Sequence, residues 1–272
     1  MKNPHAFRGK RLGQHFLTSP AVLAKIIAAA KLSPDETVLE VGPGTGVLTR
    51  ALAARARRVI AVEKDAELCR SLGDNLKKEG VSNVRLIRGD ILKIPLEDLA
   101  LPERYAVVAN IPYYLTSRLI RTLLESRHPP TRMLLMVQRE VADRICTRPP
   151  KMNLLALSVQ AYGKPKILFR VPALAFSPSP EVDSAFIEIG NINASFFTNH
   201  RISPEFFFRT ARAAFQGKRK MLENSISHNL KLPKASVREA LVVLRLSKKR
   251  PEELAAEDWA RLYRALGPEV ET

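Results

Sequence analysis

The chain has 272 residues, 46% of them hydrophobic, with a formal net charge of +17 and a pI near 10.2. This size and apolar content support one substantial core and a smaller second domain, and the charge excess points to a polyanionic partner, either nucleic acid or an anionic membrane. No stretch approaches the roughly 20 uninterrupted apolar residues of a spanning helix and the N-terminus carries no apolar signal core, so a cytoplasmic protein with no membrane segment is expected.

The leader is wholly basic: Lys2, Arg8, Lys10, Arg11, Lys25 and Lys31 all precede Asp35, the first acidic residue. It reads equally as RNA contact or as a solvated tail. Ser19-Pro20 then reads as an N-cap and first helical residue, opening a helix with Val22, Ile26, Ile27 and Ala30 on the face that meets the main sheet. From Thr37 short apolar runs alternate with helical stretches, as parallel strands with crossover helices do. Strands are expected at Thr37–Val41, Val59–Val62, Val84–Ile87, Tyr105–Ala109 and Met133–Gln138, with helices near Gly46–Ala56, Ala66–Lys77, Thr116–Glu125 and Arg139–Ile145. The class is therefore α/β, a doubly wound sheet. Ala185–Ile189 is expected as an antiparallel edge strand after the Pro-rich run of Pro172, Pro178 and Pro180.

Beyond Asn191 the strand pattern stops. Helices are expected at Pro204–Met221, Ser236–Leu244 and Pro251–Leu266, the last with Leu254, Trp259, Leu262, Tyr263 and Leu266 at helical spacing. The expected domains are residues 1–190 and a helical domain, 191–272, and the positive excess is shared by both. Cys69 and Cys146 lie on expected helices with no CxxC or His clustering, so neither a disulfide framework nor a metal site is expected.

Glu40-Val41-Gly42-Pro43-Gly44-Thr45-Gly46 places a glycine loop between a strand and a helix, at the edge where doubly wound sheets bind ligands. Glycines there let the backbone approach a ligand closely, and the following helix offers free amide donors. The spacing is GxGxG rather than the pyrophosphate-binding GxGxxG, and Glu40 disfavours a diphosphate. Glu63 closes the next strand, where a carboxylate can accept from both hydroxyls of a ribose; NAD and S-adenosylmethionine share that need. Asp90 ends the third strand, either to accept from the amino group of a cofactor adenine or to cap a loop or helix.

Asn110-Ile111-Pro112-Tyr113 follows the fourth strand at the same edge. Pro112 keeps Ile111 out of the helical region, giving a stiff turn that can direct the Asn110 amide oxygen and the Ile111 carbonyl to one point beside the Tyr113 ring. An exocyclic adenine amine is a poor nucleophile because its lone pair is delocalised. Two acceptors on its hydrogens would make the nitrogen more tetrahedral, and a stacked aromatic ring would favour the cationic transition state. No strong base is required, and with no adjacent His or Cys nucleophile the run suits direct transfer governed by orientation. An ordinary strand-ending turn is the alternative, opposed by the loop, Glu63 and Asp90 at the same edge.

Six ordered segments resemble the ribosomal RNA adenine dimethyltransferases: Leu12-Gly13-Gln14-His15-Phe16-Leu17, the Glu40 to Gly46 loop, Asn110 to Tyr113, Gln138-Arg139-Glu140-Val141-Ala142, Phe176-Ser177-Pro178-Ser179-Pro180 with Val182 and Ser184, and Phe215 to Leu222. The resemblance spans nearly the whole chain. It implies a Rossmann-like methyltransferase sheet with a small C-terminal helical RNA-binding domain, S-adenosylmethionine as cofactor, and N6,N6-dimethylation of two adjacent adenosines in a hairpin near the 3′ end of small-subunit (16S) ribosomal RNA, in an assembling 30S particle. A monomer is expected. By the same resemblance, His15 and Leu17 close over the cofactor, Gly42, Gly44, Glu63, Asp90 and Asn110 hold it, and Asn110, Ile111, Pro112 and Tyr113 bind the target base. Phe176 is then its second stacking wall, with an apolar plug as the alternative role. Lys218, Arg219 and Lys220 contact phosphate or form a solvated helix end. The chain departs from the family at Thr147–Asn153, where many relatives have a glycine-containing turn, and at His15, where Asn is frequent. A large-subunit RNA methyltransferase and an assembly factor without turnover are the competing functions.

Overall fold

The computed structural model describes residues 14–217 and 221–270, with the side chains of 268–270 excepted. Leu12, Gly13, the basic residues before them and Lys218, Arg219 and Lys220 lie outside the described residues. Two compact units are present, one bounded by Met1–Ala142 and Lys166–Ile192, the other by Asp143–Pro165 and Asn193–Thr272.

The first unit is built on a seven-stranded sheet with order β4-β3-β2-β5-β6-β9-β7. Its strands are β2 (Thr37–Val41), β3 (Arg58–Glu63), β4 (Val84–Arg88), β5 (Ala106–Asn110), β6 (Arg132–Gln138), β7 (Lys164–Val171) and β9 (Ser184–Gly190). Every residue of β2 is buried, as the continuous run TVLEV requires of a central parallel strand covered on both faces. β2 pairs in parallel with β3 and β5, β3 with β4, and β5 with β6, whereas β9 runs antiparallel to β6 from Met133↔Ile189 to Gln138↔Ser184. The chain order reverses between β2 and β5, so their carboxyl ends open the crevice in which such sheets bind ligands.

The crossover helices follow the expected stretches: α2 (Val47–Ala53), α3 (Ala66–Lys78), α4 (Thr116–Leu124) and α5 (Arg139–Cys146). Helix α1 (Pro20–Ala30) begins with Pro at its first position, and the Ser19 side chain accepts from Val22 N. Its Ile26 and Ala30 are buried with Val38, Leu48, Leu52 and Val59, with Val22 and Ile27 packed against them, so this face joins the main core. Helix α2 starts from Gly46 at φ +82°; a Cβ there would lie 2.2 Å from Leu72 Cδ1 and 2.7 Å from Arg50 Nη1. Gly46→Ala is therefore expected to lower unfolding stability by roughly 1–3 kcal/mol, read as a reduced urea midpoint; an unchanged midpoint would contradict the crowding.

Two strand expectations are corrected. β9 is antiparallel but not at the edge, because β7 lies outside it. In Lys164-Pro165-Lys166-Ile167-Leu168-Phe169-Arg170-Val171 the charges and Pro165 break the apolar run, which is tolerated at a sheet edge, and Lys166 meets Glu188 of β9 at 2.7 Å. A second, two-stranded sheet was also not expected: β1 (Phe16–Leu17) pairs antiparallel with β8 (Phe176–Ser177), through Phe16↔Ser177 and Leu17↔Phe176.

The second unit is helical and includes Asp143–Pro165, so a single cut after residue 190 does not describe it. Helix α6 (Leu154–Gln160) sits between two strands in chain order, which hides its membership. Asn153 caps it, its Oδ1 accepting from Ala156 N at 3.0 Å and its Nδ2 donating to Arg144 O at 2.9 Å. Within Thr147–Asn153, Met152 N donates to Glu252 O at 2.8 Å. Helices α7 (Ser195–His200), α8 (Pro204–Phe215), α9 (Leu222–Leu230), α10 (Lys234–Val243) and α11 (Ala256–Val270) complete the unit. The helix expected over Pro204–Met221 ends at Phe215. Its core is aromatic: Tyr162 meets Phe197 and Phe208, and Phe197, Phe207 and Phe208 meet one another, at centroid distances of 4.9–6.1 Å, and Phe215 lies 5.7 Å from Trp259. Leu254, Trp259, Leu262, Tyr263 and Leu266 are all buried, as their spacing implied.

Candidate active site

The glycine loop leaves β2 at Val41 and turns back toward β3, Gly42 N donating to Val62 O at 2.9 Å. Gly42 and Gly44 have φ of +70° and +57°, a region L side chains rarely adopt. A Cβ on Gly42 would sit 3.5 Å from Pro112, and one on Gly44 only 2.9 Å from the Phe16 ring. These glycines bring the backbone close to two other walls of the crevice.

A cavity of about 70 Å³ lies over the carboxyl ends of β2 and β5, walled by Gln14 to Leu17, by Glu40 and the glycine loop, by Glu63, and by Asn110 to Tyr113. A second space of about 210 Å³, also bordered by Gly42, Glu63 and Pro112, continues toward Lys64, Asp90, Tyr114 and Arg118. His15, Leu17, Gly42, Gly44, Glu63, Asn110, Ile111, Pro112 and Tyr113 thus meet around the first cavity, and Asp90 lies in the adjoining one.

Glu63 is 4% exposed. Its Oε2 accepts from Gly44 N at 3.0 Å and its Oε1 from Asp65 N at 2.8 Å. A carboxylate offers about four lone-pair sites, so beyond its backbone donors Glu63 keeps capacity to accept from a ligand hydroxyl. Burial raises its pKa, and the backbone donors offset part of that rise. At Asp90 the shift is opposite: a hydrogen bond from Lys64, whose Nζ lies 3.0 Å from Oδ2, holds the carboxyl below its usual range. Leu92 N donates to Oδ1 at 3.1 Å. Asp90 is consequently a fixed, ionised acceptor.

Glu40 is the unusual member. It is 1% exposed, and neither its Oε2 nor the buried Thr49 hydroxyl has a hydrogen-bond partner of good geometry. Burial pushes its pKa up to about 8; the Thr49 hydroxyl lowers it somewhat and the Glu63 carboxylate adds to the rise. A buried carboxyl oxygen without a partner beside a cavity calls for a donor or a cation from a ligand.

At the other end of the cavity, Asn110 is the last residue of β5, and its Nδ2 donates to the His15 carbonyl at 3.1 Å, leaving Oδ1 as the free acceptor. Pro112 (ψ 133°) leads a 3-10 turn, Tyr113–Leu115. The Tyr113 hydroxyl shares a 2.7 Å hydrogen bond with Ser184 Oγ, and its ring stacks on His15 at 5.6 Å with 29° between planes. Ser184 is fully buried at the start of β9. In sequence it stands out only as a member of a motif, and the antiparallel pairing of β9 is what brings it to this edge. Phe176 is not among the cavity walls. It is 4% exposed and packed with Leu17, Val171, Ala175 and Phe186, because β8 turns its side chain into the core.

The sheet order with β9 antiparallel beside β6, the GxGxG loop and the carboxylates at the ligand-binding edge fit an α/β methyltransferase with a nucleoside cofactor. The residues present fit S-adenosylmethionine: the unpartnered buried oxygen of Glu40 suits a cationic group, the glycines allow close approach, and Glu63 and Asp90 offer acceptors of the kind that ribose hydroxyls and an adenine amine require. Residues 6–264 match the family model for ribosomal RNA adenine dimethylase, and the chain belongs to that family. It is 44% identical over 255 residues to ribosomal RNA small subunit methyltransferase A of Dehalococcoides mccartyi (strain ATCC BAA-2100), covering 93% of this chain and 86% of the relative. The corresponding protein of Moorella thermoacetica is 40% identical, with 94% and 92% covered. Among solved structures, a dimethyladenosine transferase from Plasmodium falciparum superposes with TM-score 0.82 at 27% identity, covering 94% of this chain and 98% of its own. The 23S rRNA methyltransferase ErmE superposes with TM-score 0.69, also at 27% identity, with 93% and 99% covered.

Proposed function

We propose that the protein dimethylates N6 of two adjacent adenosines in a hairpin near the 3′ end of small-subunit ribosomal RNA, acting as a cytoplasmic monomer on the assembling 30S particle. The observation that carries this reading is the Asn110 amide, tied through Nδ2 so that its oxygen is left to accept beside the Tyr113 ring. When bound, S-adenosylmethionine supplies an electrophilic sulfonium methyl. Gly42, Gly44, Glu63, Asp90 and Leu17 would hold it, and the Glu40 carboxyl would offer the counter-charge for its cationic group. The Asn110 oxygen and the Ile111 carbonyl accept from the two hydrogens of the target amine, and Pro112 stiffens the turn that carries them. Tyr113 stacks on the base and favours the positive charge that develops on the amine. Phe176 can serve as the opposite wall only if its ring leaves the core. Lys218, Arg219 and Lys220 contact phosphate, and a target in a loop is the less costly to unstack.

The test is mass mapping of RNA after incubation of the purified protein with undermethylated small-subunit particles and, separately, with naked large-subunit RNA. Two dimethylated neighbouring adenosines in the small-subunit hairpin are expected. Exclusive labelling of large-subunit RNA would overturn the choice of target and favour the activity named for the 23S relative.

A further inference from the structure

We propose that His15 is a positioning residue for the target adenine, setting both groups that face the base instead of serving the cofactor; the inference rests on the function proposed above. Three different parts of the residue are engaged. Its backbone carbonyl accepts from Asn110 Nδ2 at 3.1 Å, and that bond fixes which way the amide oxygen points. Its imidazole stacks on Tyr113 at 5.6 Å. Its Nδ1 lies 2.8 Å from the Pro178 carbonyl, which can only accept, so Nδ1 carries the proton and donates.

The last contact has a reason in the register. Phe16↔Ser177 and Leu17↔Phe176 are antiparallel partners, and one further step along the same ladder would place His15 opposite Pro178. Proline has no backbone N–H to give, so the ladder cannot continue through that residue. The imidazole supplies a donor to the Pro178 carbonyl, and this anchors the ring while its plane rests on Tyr113. Ser184 holds the far end of Tyr113 through the hydroxyl. Tyr113 is thereby clamped on one face and at its tip, with the other face left for a base. The shorter amide of an Asn at this position could make the hydrogen bond but not the stack.

Because the carbonyl rather than the side chain holds Asn110, substitutions at His15 separate the two roles. The experiment compares wild type, His15→Ala, His15→Asn and His15→Phe by calorimetric binding of S-adenosylmethionine, by kcat and KM on the RNA hairpin, and by the fluorescence of 2-aminopurine placed at the target adenosine. In wild type, stacking on Tyr113 quenches the bound 2-aminopurine. His15→Ala and His15→Asn are expected to lose that quench and about ten- to hundredfold in kcat, with cofactor Kd within about twofold of wild type, which also reports an intact fold. His15→Phe restores the stack, the quench and most of kcat. A cofactor Kd weakened tenfold or more in all three variants with the quench intact would place His15 at the cofactor and overturn the proposal, and so would a His15→Phe variant as defective as His15→Ala. A wild type that methylates no adenosine fails the functional reading itself, and is recognised because the defect then precedes any substitution.

Discussion

Asn110→Ala is expected to reduce methyl transfer to the RNA by roughly 10²–10³-fold while leaving the affinity for S-adenosylmethionine within a few-fold of wild type. The side chain ends β5 with its Nδ2 bound to the His15 carbonyl and lines the cavity beside Tyr113, so truncation removes the acceptor that the proposed function assigns to the amine, without touching Glu63, Asp90 or the glycine loop. An acceptor that draws the amine toward tetrahedral geometry acts on the transition state more than on the bound substrate, so the loss belongs in kcat and not only in KM. Asn110→Asp sharpens the point. It keeps an acceptor but loses the Nδ2 donor, setting a carboxylate oxygen against the His15 carbonyl, and it is expected to be nearly as defective as the alanine variant. Single-turnover transfer under saturating cofactor measures both; an aspartate variant close to wild type would show that the tether to His15 is dispensable.

Most of the sheet was legible because its parallel strands are short apolar runs bounded by charge, and β2 matches its expected span residue for residue. The glycine loop, Glu63, Asp90 and Asn110 were readable for a related reason: doubly wound sheets gather the carboxyl ends of their strands at one edge, so position in the chain is enough to place them. What sequence did not yield depends on pairings without a local signature. β7 carries the charges of an edge strand, α6 lies between strands yet belongs to the helical unit, and the two-residue pairing of β1 with β8 joins segments about 160 positions apart. That last pairing positions two site residues. It brings His15 to Pro178 and Tyr113, where the family resemblance implied a contact with the cofactor, and it turns Phe176 into the core, the plug that stood as the alternative to a wall for the base. Ser184 was hidden in the same way, since only the antiparallel register of β9 brings it to the Tyr113 hydroxyl.

Glu40→Gln is expected to make the protein more stable than wild type at pH 9, to leave it no more stable near pH 4.5, and to abolish most of the pH dependence of cofactor binding. With its pKa at about 8 in the folded protein against 4.5 ordinarily, the folded state holds one more proton than the unfolded state between those values. Stability due to Glu40 therefore falls as pH rises from about 4.5 to about 8, by at most about 5 kcal/mol at 1.36 kcal/mol per unit. Glutamine has the same shape and cannot ionise, so it escapes that loss. At about 2–4 °C per kcal/mol for a chain of this order, the difference at pH 9 is up to about 10–20 °C in Tm. The burial of Glu63 shifts its pKa in the same direction, so a smaller slope with pH persists in the variant. Cofactor binding has the opposite sign. A cationic group beside Glu40 favours the carboxylate, so binding releases a proton around neutral pH and affinity rises with pH by up to about tenfold per unit below pH 8. Calorimetry in buffers of different ionisation enthalpy reads the released proton directly, and the glutamine variant should release less and bind more weakly at pH 8. A binding heat independent of the buffer in wild type, together with equal Tm values for the two proteins at pH 9, would show that Glu40 is ionised before the cofactor arrives.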